Sequence, residues 1–206
     1  MAPKPIDKTK RKTEIALAAL DLFAENGLDA TSISDVAKHA GIGKGTVYEY
    51  FSSKEELILT AFIAWMEQML GLEMTDALSN IADPEERIRF LIRAIVEPFM
   101  TDDRVVKIML LMFQAMLKDD TLMEHPLTRQ VLTGMRKMLS NILLEGVAQG
   151  NFKPEIARDV ETIAINLFAY LDGITVHYVI NKNDFDLMAQ VDFYLDRLLN
   201  GIRTVH

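Results

Sequence analysis

The sequence predicts an all-α fold of about nine helices. Apolar residues recur at intervals of three and four along the chain, whereas the period-two alternation typical of strands is absent. Pro84, Pro126 and Pro154 each follow a polar residue and stand where the first turn of a helix tolerates proline. We therefore expect helices throughout the chain and no β-sheet.

The first two helices are predicted from their ends. Residues 8–26 form an amphipathic helix that stops at Gly27, because glycine is a common residue just after a helix. Ser32 begins the second helix as its cap, with Asp35 near the positive end, and Gly41 ends it.

A third and a fourth helix follow at once. Residues 44–50 form a short helix. Ser53 with Glu56 gives a capping-box pattern for a longer helix that runs from Lys54 toward Leu70. This fourth helix would join the N-terminal helices to the rest of the chain.

The stretch SISDVAKHAGIGKGTVYEYFSSKEEL has the spacing of two short helices that cross at a tight turn. Ala37 is small where the helices cross, Gly41 can take positive φ in the turn, and Val47 fills the wedge between them. This pattern is typical of a helix-turn-helix, whose second helix enters the major groove of DNA. DNA binding is the function that we expect from it.

The run AGIGKGTVYEYFSSKEEL, with IALAALDLFAENGLDATSISDVA upstream, resembles the DNA-binding domain of the TetR family of transcriptional repressors. The overall length and the segment GNFKPEIARD are also similar to that family. The resemblance implies a three-helix DNA-binding domain with a basic arm over residues 1–53. It also implies a larger helical effector-binding and dimerisation domain over residues 54–206.

The DNA contacts are expected mainly from the helix over residues 44–50. Lys44 can donate to guanine, Thr46 can touch neighbouring bases, and Gly45 allows close approach of the backbone. The resemblance places Tyr48 and Tyr50 at phosphate-contacting positions. The full predicted set is Ser32, Ser34, Lys44, Gly45, Thr46, Tyr48, Tyr50 and Lys54. Three alternatives stay open: Tyr50 as a packing residue, Ser32 as a cap only, and Lys54 as a solvated side chain.

The charge of the chain is distributed unevenly. There are 22 Lys and Arg against 30 Asp and Glu, a net charge of −8. Residues 1–60 hold eight Lys and Arg against nine Asp and Glu, so −7 of the charge belongs to the remainder. The N-terminal tail is locally basic, with Lys4, Lys8, Lys10, Arg11 and Lys12. It is either a solvated tail or an arm that touches phosphates or the minor groove.

Several function classes find no support in the sequence. The chain has no Cys, which excludes disulfides, thiolate chemistry and Cys-based zinc sites. Its four His residues are far apart in sequence, no G-x-S-x-G motif is present, and GIGKGT lacks the spacing of a P-loop. We expect no enzyme, no catalytic residue, no cofactor and no metal. We also expect no signal peptide and no membrane-spanning run, and hence a cytoplasmic protein.

Two helices near the carboxyl end are predicted to form a dimer interface. They span about residues 155–181 and 186–202, and both carry apolar residues at helical spacing. Burial within one subunit is the alternative, but the resemblance favours a two-fold homodimer on a palindromic operator. The predicted interface comprises Ile163, Leu167, Leu171, Ile174, Val191, Tyr194, Leu195 and Leu198.

The central helices are rich in Met and aromatic residues, which is typical of a deformable apolar cavity for a lipophilic or aromatic effector. Ordinary core packing is the alternative. The predicted lining is Trp65, Met66, Met69, Phe99, Met112, Phe113, Met116 and Phe168. The chain is thus expected to be a ligand-responsive repressor with DNA and a small molecule as partners. Two other possibilities remain: a regulator controlled by a protein partner instead, and a helical ligand-binding protein whose helix-turn-helix is vestigial.

Overall fold

The computed structural model describes residues 7–69, 71–118, 124–182 and 184–204. All regular structure in these ranges is helical, apart from one isolated antiparallel bridge between Phe152 and Arg203. The all-α prediction is confirmed.

Eleven α-helices and one 3-10 helix lie in the described part of the chain. They are α1 (Lys8–Asn26), α2 (Ile33–His39), α3 (Lys44–Tyr50), α4 (Lys54–Met69), α5 (Leu72–Ser79), α6 (Pro84–Val96), α7 (Pro98–Thr101), α8 (Asp103–Lys118), α9 (Pro126–Ala148), the 3-10 helix (Pro154–Arg158), α10 (Val160–Ile180) and α11 (Leu187–Ile202). The number is nine, as predicted, when the close pairs α4–α5 and α6–α7 are each counted as one interrupted helix.

The chain forms two compact units. The first, here called the head unit, contains the described residues up to Gly71 together with Arg104–Val131. The second, the body unit, contains Leu72–Asp103 and the described residues from Leu132 onward. The head unit therefore includes α4 and α8, which lie beyond residue 53 and which the sequence analysis grouped with the C-terminal domain.

The core of the head unit is built from the inward faces of α1 to α4. Phe23 and Ile15 of α1, Val36 of α2, Val47 of α3 and Leu57 of α4 are all buried in it. Val47 is fully buried, as its predicted place in the wedge between α2 and α3 requires. A short helix such as α3 gains its stability from this packing and not from its own propensity.

α8 contributes its inner face to the same core. Ile108, Leu111, Met112 and Ala115 recur at helical spacing and are buried against the helices of the head. Lys118, at the end of α8, pairs with Asp29 in the loop between α1 and α2. α8 is therefore held to the head by apolar packing together with an ion pair.

The contacts of the GNFKP segment (residues 150–154) explain its place in the body unit. The ring of Phe152 lies directly on Gly146 of α9, where an added Cβ would come within 2.2 Å of it. Backbone hydrogen bonds then join Lys153 N to Ile202 O at 2.9 Å and Thr204 N to Asn151 O at 3.0 Å. These contacts fasten the turn after α9 to the end of α11.

Arginines on α6 connect it to α11. Arg89 pairs with Asp196 at 2.7 Å, and Arg93 pairs with Asp192 at 2.6 Å. Apolar side chains of α6, α10 and α11 are buried in the body unit, each with less than one tenth of its surface exposed: Ile88, Leu91, Ile92, Leu167, Leu171, Val191, Leu195 and Leu199.

The prediction of one helix over residues 155–181 is wrong at its start. The chain forms a 3-10 helix over Pro154–Arg158 and begins α10 only at Val160. Asp159 lies between the two, at φ −111° and ψ 3°, outside the helical range.

The expectation that no run reaches the character of a membrane span also needs correction. Two stretches, Lys54–Ser79 and Val160–Ile180, are long and apolar enough to cross a membrane by length and composition alone. The first supplies Leu57, Ile58 and Leu59 to the core of the head. A core helix of a globular unit can therefore meet the same criteria of length and composition.

Candidate nucleic-acid interface

The turn between α2 and α3 is fixed by backbone hydrogen bonds. Ile42 N donates to Ala37 O at 2.9 Å and Gly41 N donates to Lys38 O at 3.3 Å, the pair of bonds that defines a Schellman motif. Gly41 has φ +66°, a left-handed conformation that glycine adopts without strain. The predicted role of this glycine therefore has a direct geometric reason.

The start of α2 is fixed by a capping box. The Ser32 hydroxyl accepts from Asp35 N at 3.2 Å, and the Asp35 carboxylate accepts from Ser32 N at 2.8 Å. The hydrogen bonds from Ser32 hold the pKa of Asp35 below its usual value. Ser32 and Ser34 are both exposed, so the cap does not remove them from the surface.

α3 presents most of its predicted contact residues to solvent. Lys44, Gly45 and Tyr48 are exposed, and Thr46 is half-buried. A Cβ added at Gly45 would meet no atom within 4 Å. Packing in the protein therefore does not explain why this position lacks a side chain.

Two predicted contacts are placed differently. Lys54 donates from Nζ to the carbonyl oxygen of Leu28, and its ammonium lies 5.5 Å from the centroid of the Phe23 ring. Tyr50 is half-buried and packs against the head core. In the structure both residues hold the head together, because their side chains turn toward its interior.

α4 is anchored to α1 through Glu56. Its carboxylate accepts from Lys12 Nζ at 2.8 Å and from Ser52 N at 2.8 Å, while Glu56 N donates to Ser53 Oγ at 3.0 Å. Partial burial alone would raise the pKa of Glu56, but the hydrogen bonds from Lys12 and Ser52 together lower it to about 2. The predicted capping box is thus half formed, since the carboxylate binds Ser52 and not Ser53.

The basic residues near the N-terminus divide into two groups. Lys8 and Lys10 are exposed in the first turn of α1, which Asp7 caps. Arg11 pairs with Glu14 at 3.0 Å and Lys12 with Glu56 at 2.8 Å. Lys4 lies outside the described residues. Among the described basic residues of this segment, only Lys8 and Lys10 form no ion pair within the protein.

One exposed residue of α3, Glu49, lies outside the predicted set of contacts. Glu49 is exposed and follows Gly45 by four positions, so the two lie on the same face of the helix. The spacing from the buried Val47 was the available signal, because residues two positions before and after it point away from the core.

The predicted dimer residues fall into two classes in the body unit. Leu167, Leu171, Val191 and Leu195 are buried within the subunit and expose at most 3% of their surface. Ile163, Ile174, Tyr194 and Leu198 are half-buried. The first four have almost no area left to give to a partner, because they already fill the core between α10 and α11.

The exposed apolar residues of these helices lie elsewhere. Ile165, Val176 and Ile180 on α10 expose 40%, 43% and 77%, and Phe193 on α11 exposes 59%. Gly173 interrupts the same face of α10, and a Cβ there would meet nothing within 4 Å. The uncovered surface of α10 therefore carries an apolar stripe, beside exposed polar residues such as Asn166, Asp172 and His177.

The predicted effector residues are divided between the units. In the head unit, Met112 is buried in the core, and Trp65 and Met116 pack against that core. Phe113 points away from it and exposes 47% of its surface, whereas Met66 and Met69 are half-buried. In the body unit Phe99 is buried and Phe168 half-buried. Met112 therefore packs in the core of the head, and its place in an effector lining stays a prediction.

A polar cleft lies in the body unit at the start of α6. Its volume is about 460 Å³, and Glu85, Arg89, Phe152 and Arg203 are among the residues that line it. Glu85 is paired with both arginines. Across the described ranges no group of three or more His, Asp or Glu is placed to hold a metal ion.

Comparison with known proteins identifies both parts of the chain. Residues 15–61 match the bacterial regulatory proteins of the tetR family, and residues 84–200 match the C-terminal domain of BetI-type transcriptional repressors. The Fatty acid metabolism regulator protein of Bacillus subtilis is 27% identical, over 95% of this chain and 97% of that protein. The HTH-type transcriptional repressor KstR2 of Mycolicibacterium smegmatis is 30% identical, over 78% of this chain and 77% of its own.

A solved structure agrees with these matches. The transcriptional regulator FadR from Bacillus subtilis, in complex with stearoyl-CoA, is 27% identical to this chain. It superimposes with a TM-score of 0.75 over 94% of this chain and 98% of that one. The resemblance noted in the sequence therefore extends well beyond the helix-turn-helix.

Proposed function

The chain belongs to the TetR family of bacterial DNA-binding transcriptional regulators, and on that premise we propose that it is a homodimeric repressor released from a palindromic operator by a lipophilic effector. The observation that carries the proposal is α3 itself. It buries Val47, is preceded by a rigid turn, and exposes Lys44, Gly45 and Tyr48.

The DNA contacts follow from the chemistry of α3. Lys44 donates to the O6 or N7 atom of guanine in the major groove, and Thr46 touches a neighbouring base at its methyl or hydroxyl group. Tyr48, with Ser34 on α2, donates to phosphate oxygens, which positions the helix without specifying sequence. The Ser32 hydroxyl already donates to the Asp35 carboxylate at 2.6 Å, so Ser32 contributes as the cap of α2. Lys54 contributes indirectly, because its hydrogen bond to the carbonyl oxygen of Leu28 fixes the α1–α2 loop.

The dimer is proposed to form through the uncovered face of α10 and α11. Val176, Ile180 and Phe193 supply apolar area, and Gly173 allows a second helix to approach closely. Ile174 of the predicted set stands two positions from Val176, about 160° around the helix, and so turns away from this face. Two subunits would then present two α3 helices roughly 34 to 36 Å apart, one turn of DNA. Such a repressor acts in the cytoplasm, where the chromosome is.

The effector is proposed to be a long-chain acyl thioester. Stearoyl-CoA is the ligand of the Bacillus subtilis FadR structure, and α8 of this chain has a suitable surface. Leu110, Phe113 and Leu117 expose 56%, 47% and 80% on the side of α8 opposite its core face. An acyl chain on that side would bury apolar area at about 0.8 kcal/mol per methylene group.

α8 also offers a mechanism of release. Its inner face lies in the core of the head, and Lys118 is tied to Asp29. A shift of α8 on effector binding therefore moves the head that carries α3. A coupling free energy of about 1 to 3 kcal/mol would change operator affinity by roughly 5- to 150-fold.

The test is binding of the full chain to labelled duplexes that cover the DNA upstream of its own gene, measured by fluorescence anisotropy. We expect salt-sensitive binding that falls more than about tenfold in Lys44→Ala and in Tyr48→Ala. Lys137→Ala, which removes an exposed lysine of α9, is the control and should bind normally. Stearoyl-CoA should lower the affinity of the unmodified protein, and an unchanged affinity would reject this effector class.

A further inference from the structure

The side chain of α3 that lies furthest from the core of the head is an acid, Glu49. A helix advances about 100° per residue, so Gly45 and Glu49 both lie about 160° from Val47 around α3. Val47 is fully buried, and the direction opposite to it is the direction in which a DNA duplex must lie. Thr46 and Tyr48 flank this line on either side. Glu49 therefore stands at the centre of the surface that faces DNA.

Glu49 also has no interaction partner among the residues that the structure describes. It forms no hydrogen bond and no ion pair with any residue that the structure describes, and it is exposed. Several other acids of the head are engaged, among them Asp29 with Lys118, Asp35 with Ser32, and Glu56 with Lys12. Neither capping nor internal charge pairing thus accounts for an acid at this position.

A duplex offers few groups that favour a carboxylate. Its phosphates repel one, and guanine presents only acceptors in the major groove. The amino groups of cytosine and adenine are the donors there. The adenine amino group lies beside the N7 acceptor, whose lone pair repels a carboxylate, whereas cytosine N4 has no acceptor of its own in the groove. Cytosine N4 is therefore the favoured partner.

The glycine one turn earlier makes that contact reachable. Because a Cβ at Gly45 would meet nothing within 4 Å, a base edge can approach the helix backbone in front of Glu49. We propose that Glu49 accepts a hydrogen bond from cytosine N4 in each half-site, and that its charge weakens binding to DNA that lacks this cytosine. This inference rests on the proposed operator binding and names its specificity-determining acid.

The experiment selects duplexes from a randomised pool with the full-length protein and with two variants. The unmodified protein should enrich a C·G pair at one position of each half-site. Glu49→Gln should change the preference there to A·T, since glutamine pairs with adenine N6 and N7, and Glu49→Ala should accept any base pair. Discrimination at that position should fall about tenfold in the alanine variant.

A second measurement tests the role of the charge. Both variants should bind the unselected random duplexes several-fold more tightly than the unmodified protein. Glu25→Gln removes the same charge from an exposed position on α1 and should leave both measurements unchanged. Thermal melting of each variant should match the unmodified protein, because Glu49 has no internal partner to lose.

The outcomes separate this inference from the proposed function. If the unmodified protein enriches no sequence, operator binding fails and the role of Glu49 fails with it. If it enriches a sequence that both variants also enrich, operator binding stands and only the role of Glu49 is overturned. A preference of the unmodified protein for any base pair other than C·G at the position that Glu49 controls also overturns it.

Discussion

α3 and α10 are both helices with a large exposed face, but the two faces are of opposite character. α3 buries Val47 and exposes small and polar groups. α10 buries Leu167 and Leu171 and still exposes Val176 and Ile180. Water or DNA can form hydrogen bonds with the polar groups on the face of α3. An exposed apolar face such as that of α10 is typical of a surface that another molecule covers. We therefore propose that the face of α3 recognises a polyanion and that the face of α10 associates with a partner by burial.

The largest expected effect comes from placing a charge on the face of α10. Val176→Asp should separate the dimer, because it would bury a second carboxylate beside Asp172, one turn earlier on the same face of α10. Loss of the second head would lower operator affinity by roughly 10²- to 10⁴-fold. Sedimentation and anisotropy would measure mass and affinity together.

The control for this variant is Gln149→Asp, at an exposed position after α9. It adds the same charge away from the face and should leave the dimer intact. A dimer that survives Val176→Asp would mean that the apolar face of α10 is not the interface.

A matched pair on α10 sharpens the distinction between its two faces. Leu167→Ala should lower the free energy of unfolding by about 2 to 5 kcal/mol, since Leu167 is 1% exposed and a cavity remains. Ile165→Ala, two positions away and 40% exposed, should cost the isolated subunit far less. Urea unfolding at protein concentrations below dimer association would compare them, and equal losses would contradict the assignment of faces.

In the head, the contact between α1 and α4 should depend on pH. The pKa of Glu56 is about 2 in the folded protein, below its ordinary value of 4.5. The stabilisation is therefore complete above about pH 4.5 and is lost as the pH falls toward 2. Glu56→Gln should lower the free energy of unfolding by about 2 kcal/mol at pH 7.

The pH series provides the check on that prediction. The difference between Glu56→Gln and the unmodified protein should shrink steadily in unfolding curves recorded between pH 5 and pH 2. A difference that stays constant with pH would show that packing, and not the charge of Glu56, holds α1 to α4.

The smallest expected effect is on α3. Gly45→Ala should stabilise the protein by about 0.5 to 1 kcal/mol, because a Cβ there has free space and alanine favours a helix. It should nonetheless weaken operator binding, by holding the duplex away from the backbone. Gly134→Ala on α9, which also has free space, should give the same gain in melting temperature and no change in DNA binding.

Much of the head could be predicted from sequence because its determinants are local. The cap at Ser32, the positive φ at Gly41 and the wedge at Val47 each depend on residues within a few positions. Lys54 could not be placed in this way. Its ammonium is positioned by Leu28 and Phe23, which are far away in sequence and close only after α1 and α4 pack together.

The body was less predictable because its helices are apolar on more than one side. Periodicity shows that α10 has helical spacing, but it does not distinguish Leu167, which is buried, from Ile165, which is exposed. The same ambiguity made Met112 a predicted effector contact, whereas it packs in the core of the head. Only the neighbours that a helix meets decide which of its apolar stripes is core.

By itself, the sequence determined the helical class, the ends of most helices and the residues of the helix-turn-helix, since caps, turns and the spacing of a single apolar stripe are encoded within one or two turns of chain. The tertiary structure decided which apolar faces are core and which remain uncovered, and that α8 packs into the head. It also left Glu49 unpartnered at the outermost line of α3. These outcomes depend on contacts between residues distant in sequence, whose burial follows from the packing of whole helices.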